Sequence, residues 1–178
     1  MPKNNIECEI RSFVTEDEYE KLVEDLKKKA EFLGEDNQVT YYFDSDQDLR
    51  IQKNDNFSKV WLKKGSLHDE HREEVEIKCA KDDFDRLNDL FTSLGYGIDI
   101  KWLRRRLSFK WDSIDVALDY TKGYGYIIEL EKLVGEGSEE ETLEHLKKRM
   151  NELGISLTPK EEFDAKYKHY KENWESLV

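Results

Sequence analysis

The chain has 178 residues, of which 39% are charged and 12% aromatic, and its formal net charge is −12. That length accommodates one domain with a substantial core, the aromatic content argues against disorder, and no apolar run approaches the roughly eighteen residues of a membrane-spanning helix. The negative balance disfavours nucleic-acid binding, which needs a broad basic surface, but a cleft of opposite local potential remains open to an anionic small ligand.

The opening Met1-Pro2-Lys3-Asn4-Asn5 has no hydrophobic signal segment, so a cytoplasmic location is expected. Glu7-Cys8-Glu9-Ile10-Arg11 follows. In a strand its side chains alternate, so Glu7, Glu9 and Arg11 share one face while Cys8 and Ile10 take the other. Two like charges that close repel unless a cation sits between them. Cys8 and Cys79 both fall in strand-like runs and read as reduced packing residues.

A helix is predicted over 16–33, capped by Thr15 with Glu18 in capping-box spacing and stopped by Gly34; Tyr19, Leu22, Val23, Leu26 and Ala30 form its apolar stripe. Strands are predicted over 38–44, 48–53, 58–64 and 71–78, separated by turns rich in Asp, Asn, Ser and Gly. A second helix is expected near 83–94, with Phe84, Leu87, Phe91 and Leu94 on its packing side. Strands over 101–110, 113–120 and 125–132 come next, the last two joined by a tight turn at Gly123-Tyr124-Gly125. A third helix (139–153) begins with a Ser138–Glu141 capping box; a fourth (159–177) begins with Thr158 as cap and Pro159 at the first helical position. Phe163, Tyr167, Tyr170, Trp174 and Leu177 give that last helix a packing stripe.

The charged face of the first strand recurs. Arg72, Glu74, Glu76 and Lys78 share a strand face, as do Arg104 and Arg106; Asp119 ends the run from Ile114; Glu129 and Glu131 repeat the opening pattern. Acids and bases clustered together in strand after strand point to a polar interior surface. The fold expected is α+β: an eight-stranded antiparallel β-barrel with flanking helices, its interior wide enough for one small ligand. One domain over 1–178 is expected, with tunnel strands at about 5–132 and C-terminal helices at about 139–177.

These motifs, in this order, resemble the CYTH family, or triphosphate tunnel metalloenzymes, from residue 6 to about 132. Glu7, Glu9 and Arg11 stand at its Glu-x-Glu-x-Lys, and Leu49-Arg50-Ile51-Gln52 is similar to its Leu-Arg-Ile-Arg. Val60-Trp61-Leu62-Lys63 resembles the strand ending in a phosphate-binding lysine, with Lys64 adjacent as the alternative. Arg72, Glu74 and Glu76 resemble its Arg-x-Glu-x-Glu; Arg104 with Arg106, Asp119, the glycine turn and Glu129-Leu130-Glu131 match its remaining features. Arg11 for lysine and Gln52 for arginine are departures: arginine keeps the charge but does not lose a proton, and glutamine removes a positive contact.

The resemblance implies a triphosphate substrate, a Mg²⁺ or Mn²⁺ cofactor and divalent-metal-dependent hydrolysis of inorganic tripolyphosphate, thiamine triphosphate or a nucleoside triphosphate. It implies Glu7, Glu9, Asp119, Glu129 and Glu131 as metal ligands, Arg11, Arg50, Lys63, Arg72, Arg104 and Arg106 as phosphate contacts, and Glu7, Glu9, Arg11 and Glu76 as catalytic groups, with Glu74 and Glu76 orienting water. A class IV-type adenylate cyclase and a non-catalytic polyphosphate or nucleotide binder are the alternatives, and a homodimer is compatible with each. Other features read as structural: His68-Asp69-Glu70-His71 falls in a loop, and Trp61, Trp102, Trp111 and Trp174 read as packing residues between barrel and helices.

Overall fold

Strand β1 (Ile6–Val14) buries Cys8, Ile10, Ser12 and Val14 and leaves Glu7, Glu9 and Arg11 half-buried on its other face. The computed structural model describes residues 6–64 and 71–178, with the backbone alone for His71 and Arg72. Helix α1 (Glu16–Lys29) starts at a capping box: Thr15 Oγ1 accepts from the Glu18 N–H at 3.3 Å, and Glu18 accepts from the Thr15 N–H at 2.7 Å. It ends four residues earlier than the glycine signal suggests. Its buried stripe of Tyr19, Leu22 and Leu26 is exhausted by then, and Phe32 gains more by packing on Phe109, 5.2 Å between ring centroids, as part of β2 (Glu31–Phe43). Gly34 is a bulge residue inside that strand, with φ +139°.

β3 (Asp48–Lys53), β4 (Phe57–Lys63), β5 (His71–Arg72) and β6 (Glu74–Ala80) follow, then a 3₁₀ turn and α2 (Phe84–Ser93). β7 (Ile98–Trp111), β8 (Ile114–Thr121) and β9 (Gly125–Val134) form a meander, and α3 (Glu139–Glu152) and α4 (Lys160–Leu177) close the chain. Every strand pairing is antiparallel, in the order β5-β1-β9-β8-β7-β2-β3-β4-β6. The two ends of that order, β5 and β6, are separated in the chain only by Glu73. The sheet therefore curls until its two edge strands are one residue apart in the chain. Counted as one interrupted strand, β5 and β6 make the eight strands expected.

The main apolar core lies outside this curl. Cys8 and Ile10 of β1, Phe109 of β7, Val116 and Leu118 of β8, and Ile128 and Leu130 of β9 pack against Leu22 and Leu26 of α1 and Leu146 and Met150 of α3. A smaller core forms where α2 lays Phe84 on Phe43 and Ile51. A third joins Ile100 and Trp102 to Tyr170 of α4, whose hydroxyl donates to the Lys101 carbonyl at 2.8 Å. Gly123 sits at φ +74° where a Cβ would lie 2.6 Å from Leu177 Cβ, so the β8–β9 turn and the end of α4 meet only because that side chain is absent.

Three terminal signals act differently from expectation. Ser138 makes no side-chain cap; Glu139 instead accepts from the Gly137 N–H at 2.7 Å. Thr158 does not cap α4, because its hydroxyl is taken by the Phe13 N–H (3.0 Å) and Ser12 Oγ (2.9 Å), tying the α3–α4 linker to β1. Leu94, past the end of α2, is 67% exposed rather than packed. None of the helices among the described residues is long and apolar enough to cross a membrane.

Candidate functional site

The inward faces of the strands enclose a cavity of about 260 Å³. β1 contributes Glu7, Glu9 and Arg11; β9 contributes Glu129 and Glu131; β7 and β8 contribute Arg104, Arg106 and Asp119; β3 and β4 contribute Arg50 and Lys63; β6 contributes Glu74 and Glu76. Period-two alternation does this: inward residues on one strand are two or a multiple of two apart, and the residues between them face outward, onto the core in β1, β8 and β9 and to solvent at Val75 and Ile77 of β6.

Glu7, Glu9 and Glu131 come together, each offering a carboxylate oxygen within 4.8 Å of the others. Across β1 and β9, Glu9 lies directly opposite Glu131, and Arg11 opposite Glu129. Lys63 Nζ enters this group from β4, 2.8 Å from Glu7, 3.3 Å from Glu74 and 3.9 Å from Glu9, whereas Lys64 points away and pairs with exposed Glu73. The frame Val60–Leu62 thus puts Lys63, not its neighbour, in the cavity.

Asp119 and Glu129 are not in the acidic triad. Arg106 donates through Nε and Nη2 to the two oxygens of Asp119 at 2.8 and 2.7 Å and through Nη2 to Glu129 at 2.9 Å. Arg104 adds a 3.2 Å contact to Asp119 and donates twice to Gln38, at 2.9 and 2.6 Å. These carboxylates orient arginines. Glu76 sits apart from the triad too, accepting from Lys59 at 2.6 Å. Arg11 is 3.4 Å from Glu9, with its guanidinium 5.0 Å from the Phe163 ring centre. Arg50 donates from Nε and Nη2 to both oxygens of Asp48 and lies 4.3 Å over Tyr42. The Arg72 backbone pairs with Glu7; its side chain, and all of His68, Asp69 and Glu70, lie outside the described residues.

The acids titrate in opposite directions. Burial pushes Glu131 up to about 8, and the charges of Glu7, Glu129 and Glu9 add to the rise. Burial, then Glu129, raises Glu9 as well. For Glu129 burial opposes ionisation, but Arg106, Arg104 and Arg11 outweigh it and hold the carboxyl well below its ordinary range. Lys63 loses by burial and gains more from Glu9 and Glu7, so its pKa rises. The arginine-rich side of the cavity thus favours the ionised carboxylate of Glu129, and the triad side is short of positive charge.

Several lining residues carried no functional reading in the sequence. Gln38 is the partner of Arg104, and Asp48, which does not itself line the cavity, is the partner of Arg50; their strand parity with Thr40 and with Arg50 was the available signal. Trp61 and Trp102 line the cavity rather than only packing, together with Tyr42, Tyr124, Phe163 and Tyr167. Trp111, by contrast, packs outside under Arg149, 3.9 Å from its guanidinium carbon.

Comparison with known proteins identifies the family and the fold. A family model of the CYTH domain matches residues 5–163. A protein of Methanocaldococcus jannaschii whose name proposes adenylate cyclase activity is 31% identical over 166 residues, covering 85% of this chain and 91% of its own. The PH1819 protein of Pyrococcus horikoshii shares the fold with a TM-score of 0.74 at 26% identity, covering 85% of this chain and 92% of its own. HpAC1 of Hippeastrum, described as an adenylyl cyclase candidate with a dominant triphosphatase activity, aligns with a TM-score of 0.63 at 18% identity, covering 88% and 92%. The chain belongs to the CYTH domain family.

Proposed function

We propose that this protein hydrolyses a triphosphate inside the cavity with the help of a divalent cation. The observation that carries the reading is the meeting, in one small space, of seven carboxylates, three of them grouped as Glu7, Glu9 and Glu131, with six cationic side chains: Arg11, Arg50, Lys59, Lys63, Arg104 and Arg106. A triphosphate needs cations along its length and a hard metal at the reacting end. The dominant triphosphatase activity stated for HpAC1 supports the same reading.

The triad fits such an ion. Three carboxylate oxygens are the donor type that Mg²⁺ and Mn²⁺ prefer, and Lys63 Nζ already stands among them as a substitute cation. Glu7, Glu9 and Glu131 would hold the ion, which supplies charge neutralisation at the phosphate and acidifies water.

The remaining work belongs to the chain. Arg104 and Arg106, aimed by Asp119, Glu129 and Gln38, bind phosphate oxygens with paired N–H donors. Arg11 and Arg50, held against aromatic rings, fix the rest of the chain of phosphates. Water attacks the terminal phosphorus in line, the bond to the bridging oxygen breaks, and the water proton passes to a carboxylate. Arg11 cannot be the base. Products are orthophosphate and the shortened phosphate chain.

A second reading, ATP cyclisation, is favoured by the name of the Methanocaldococcus jannaschii relative. It replaces water by the ribose 3′-hydroxyl and releases pyrophosphate with cyclic AMP. Incubating the protein with tripolyphosphate, thiamine triphosphate and ATP in Mg²⁺ or Mn²⁺, while following orthophosphate and cyclic nucleotide, separates the two. Orthophosphate release that disappears in Glu7→Gln supports hydrolysis; pyrophosphate with cyclic AMP overturns it.

A further inference from the structure

Gln52, one of the two departures from the family pattern, is 4% exposed and lines the cavity from β3. Its amide nitrogen donates to Thr40 Oγ1 at 2.9 Å and Gln38 Oε1 at 3.2 Å, while its amide oxygen has no donor among the described residues. Trp61, on the neighbouring strand β4 and 5% exposed, has a buried Nε1–H with no acceptor among the described residues. Arg50 pairs with Trp61 and Gln52 with Lys59 in the β3–β4 ladder, so Gln52 and Trp61 are diagonal neighbours on the same wall, roughly 7–8 Å apart by ladder geometry. A buried unpartnered donor is costly and rare.

Aromatic side chains recur around the cavity. Tyr42, Trp102 and Tyr124, with Phe163 and Tyr167 of α4, line the same cavity. The nearby cations Arg50 and Lys59 are held by Asp48 and Glu76. A bare phosphate chain has no flat face to lay on the rings and no ring nitrogen to accept from the indole. A cationic ring would meet Arg50 and Lys59, both over Trp61, at 5.5 and 4.3 Å.

Resting on the triphosphate reading above, we propose that Gln52 and Trp61 select a triphosphate whose organic end is a neutral nitrogen heterocycle, the chemistry of a nucleoside triphosphate, over the inorganic chain. The indole N–H donates to a ring nitrogen, an exocyclic amine donates to the Gln52 oxygen, and the ring packs on the aromatic side chains.

The test is calorimetric binding with Mg²⁺ of two ligands that resist hydrolysis: the β,γ-imido analogue of ATP and inorganic diimidotriphosphate. The parent protein binds the nucleotide at least about tenfold more tightly, the scale of one stacked base. Trp61→Phe, which keeps a ring but removes the N–H, weakens the nucleotide about tenfold and leaves the inorganic ligand unchanged. Gln52→Arg strengthens the inorganic ligand and narrows or reverses the preference. Equal or tighter binding of the inorganic chain by the parent, equal shifts of both ligands in both variants, or binding of neither overturns the proposal. Turnover is scored separately with ATP and tripolyphosphate. Hydrolysis without nucleotide preference sinks this inference alone; nucleotide preference without hydrolysis sinks only the hydrolase reading.

Discussion

The outer and inner faces of this sheet are made by the same strands with opposite chemistry. Outward, Phe109, Leu118, Ile128 and Leu130 are at most marginally exposed and pack beneath α1 and α3. Inward, the alternate residues of those strands are Arg106, Asp119, Glu129 and Glu131. Apolar burial drives folding, whereas gathering charges in a confined space costs desolvation that pairing only partly returns. The outer face therefore holds the fold, and the inner face is kept for a ligand. Substitutions on the two faces should have opposite signatures.

The largest effect is expected inside. Glu131→Gln should all but abolish metal-dependent turnover, because it removes one of the three carboxylates that would hold the ion. Steady-state rates against metal concentration check this, and a variant at full rate would remove Glu131 from the chemistry. Glu7→Gln should behave alike.

On the outer face Phe109→Ala should cost about 3–5 kcal/mol of stability, measured by denaturant unfolding, while the protein that remains folded turns over near the parent rate. A selective loss of rate without loss of stability would contradict the division between faces.

Proton linkage sharpens the comparison further. Folded Glu131 keeps its proton up to about pH 8, against an ordinary value of 4.5. The folded state therefore binds more protons than the unfolded chain in that window, and its contribution to stability is present below it and lost as pH rises. Thermal unfolding of metal-free protein should fall in temperature between pH 5 and 8, Glu131→Gln should flatten the curve, and Mg²⁺ or Mn²⁺ should offset the loss at the alkaline end. Glu129 is lowered instead, and so acts only below this window. A metal-free curve rising through the range would mean the triad is not short of positive charge.

The smallest effect belongs to neither face. Thr15→Ala removes the α1 cap and should cost about 1 kcal/mol, with no change in ligand binding. A change in substrate affinity would mean that α1 reaches the cavity.

Much of this molecule is written locally. The alternation in β1 placed Glu7, Glu9 and Arg11 on one face, the recurrence of charge in later strands called for a polar interior, and the capping box at Thr15 located a helix. Such signals depend on φ/ψ periodicity and on neighbours three or four residues away, which is why they were legible. Where two local signals competed, the outcome was decided by distant partners. Gly34 reads as a helix stop until the β2–β7 ladder claims it for a bulge, and Thr158 reads as a cap until Ser12 and Phe13 of β1 take its hydroxyl.

The sequence by itself determined which side chains share a strand face, because alternation is a property of the backbone. Only the tertiary structure decided which faces meet. It sorted the acids into a triad around Lys63 and a pair that aims arginines, left the indole of Trp61 without an acceptor among the described residues, and brought Phe163 of α4 to Arg11. Charge separation, burial and pKa all depend on through-space distance, and strands far apart in the chain acquire that distance only when the sheet curls.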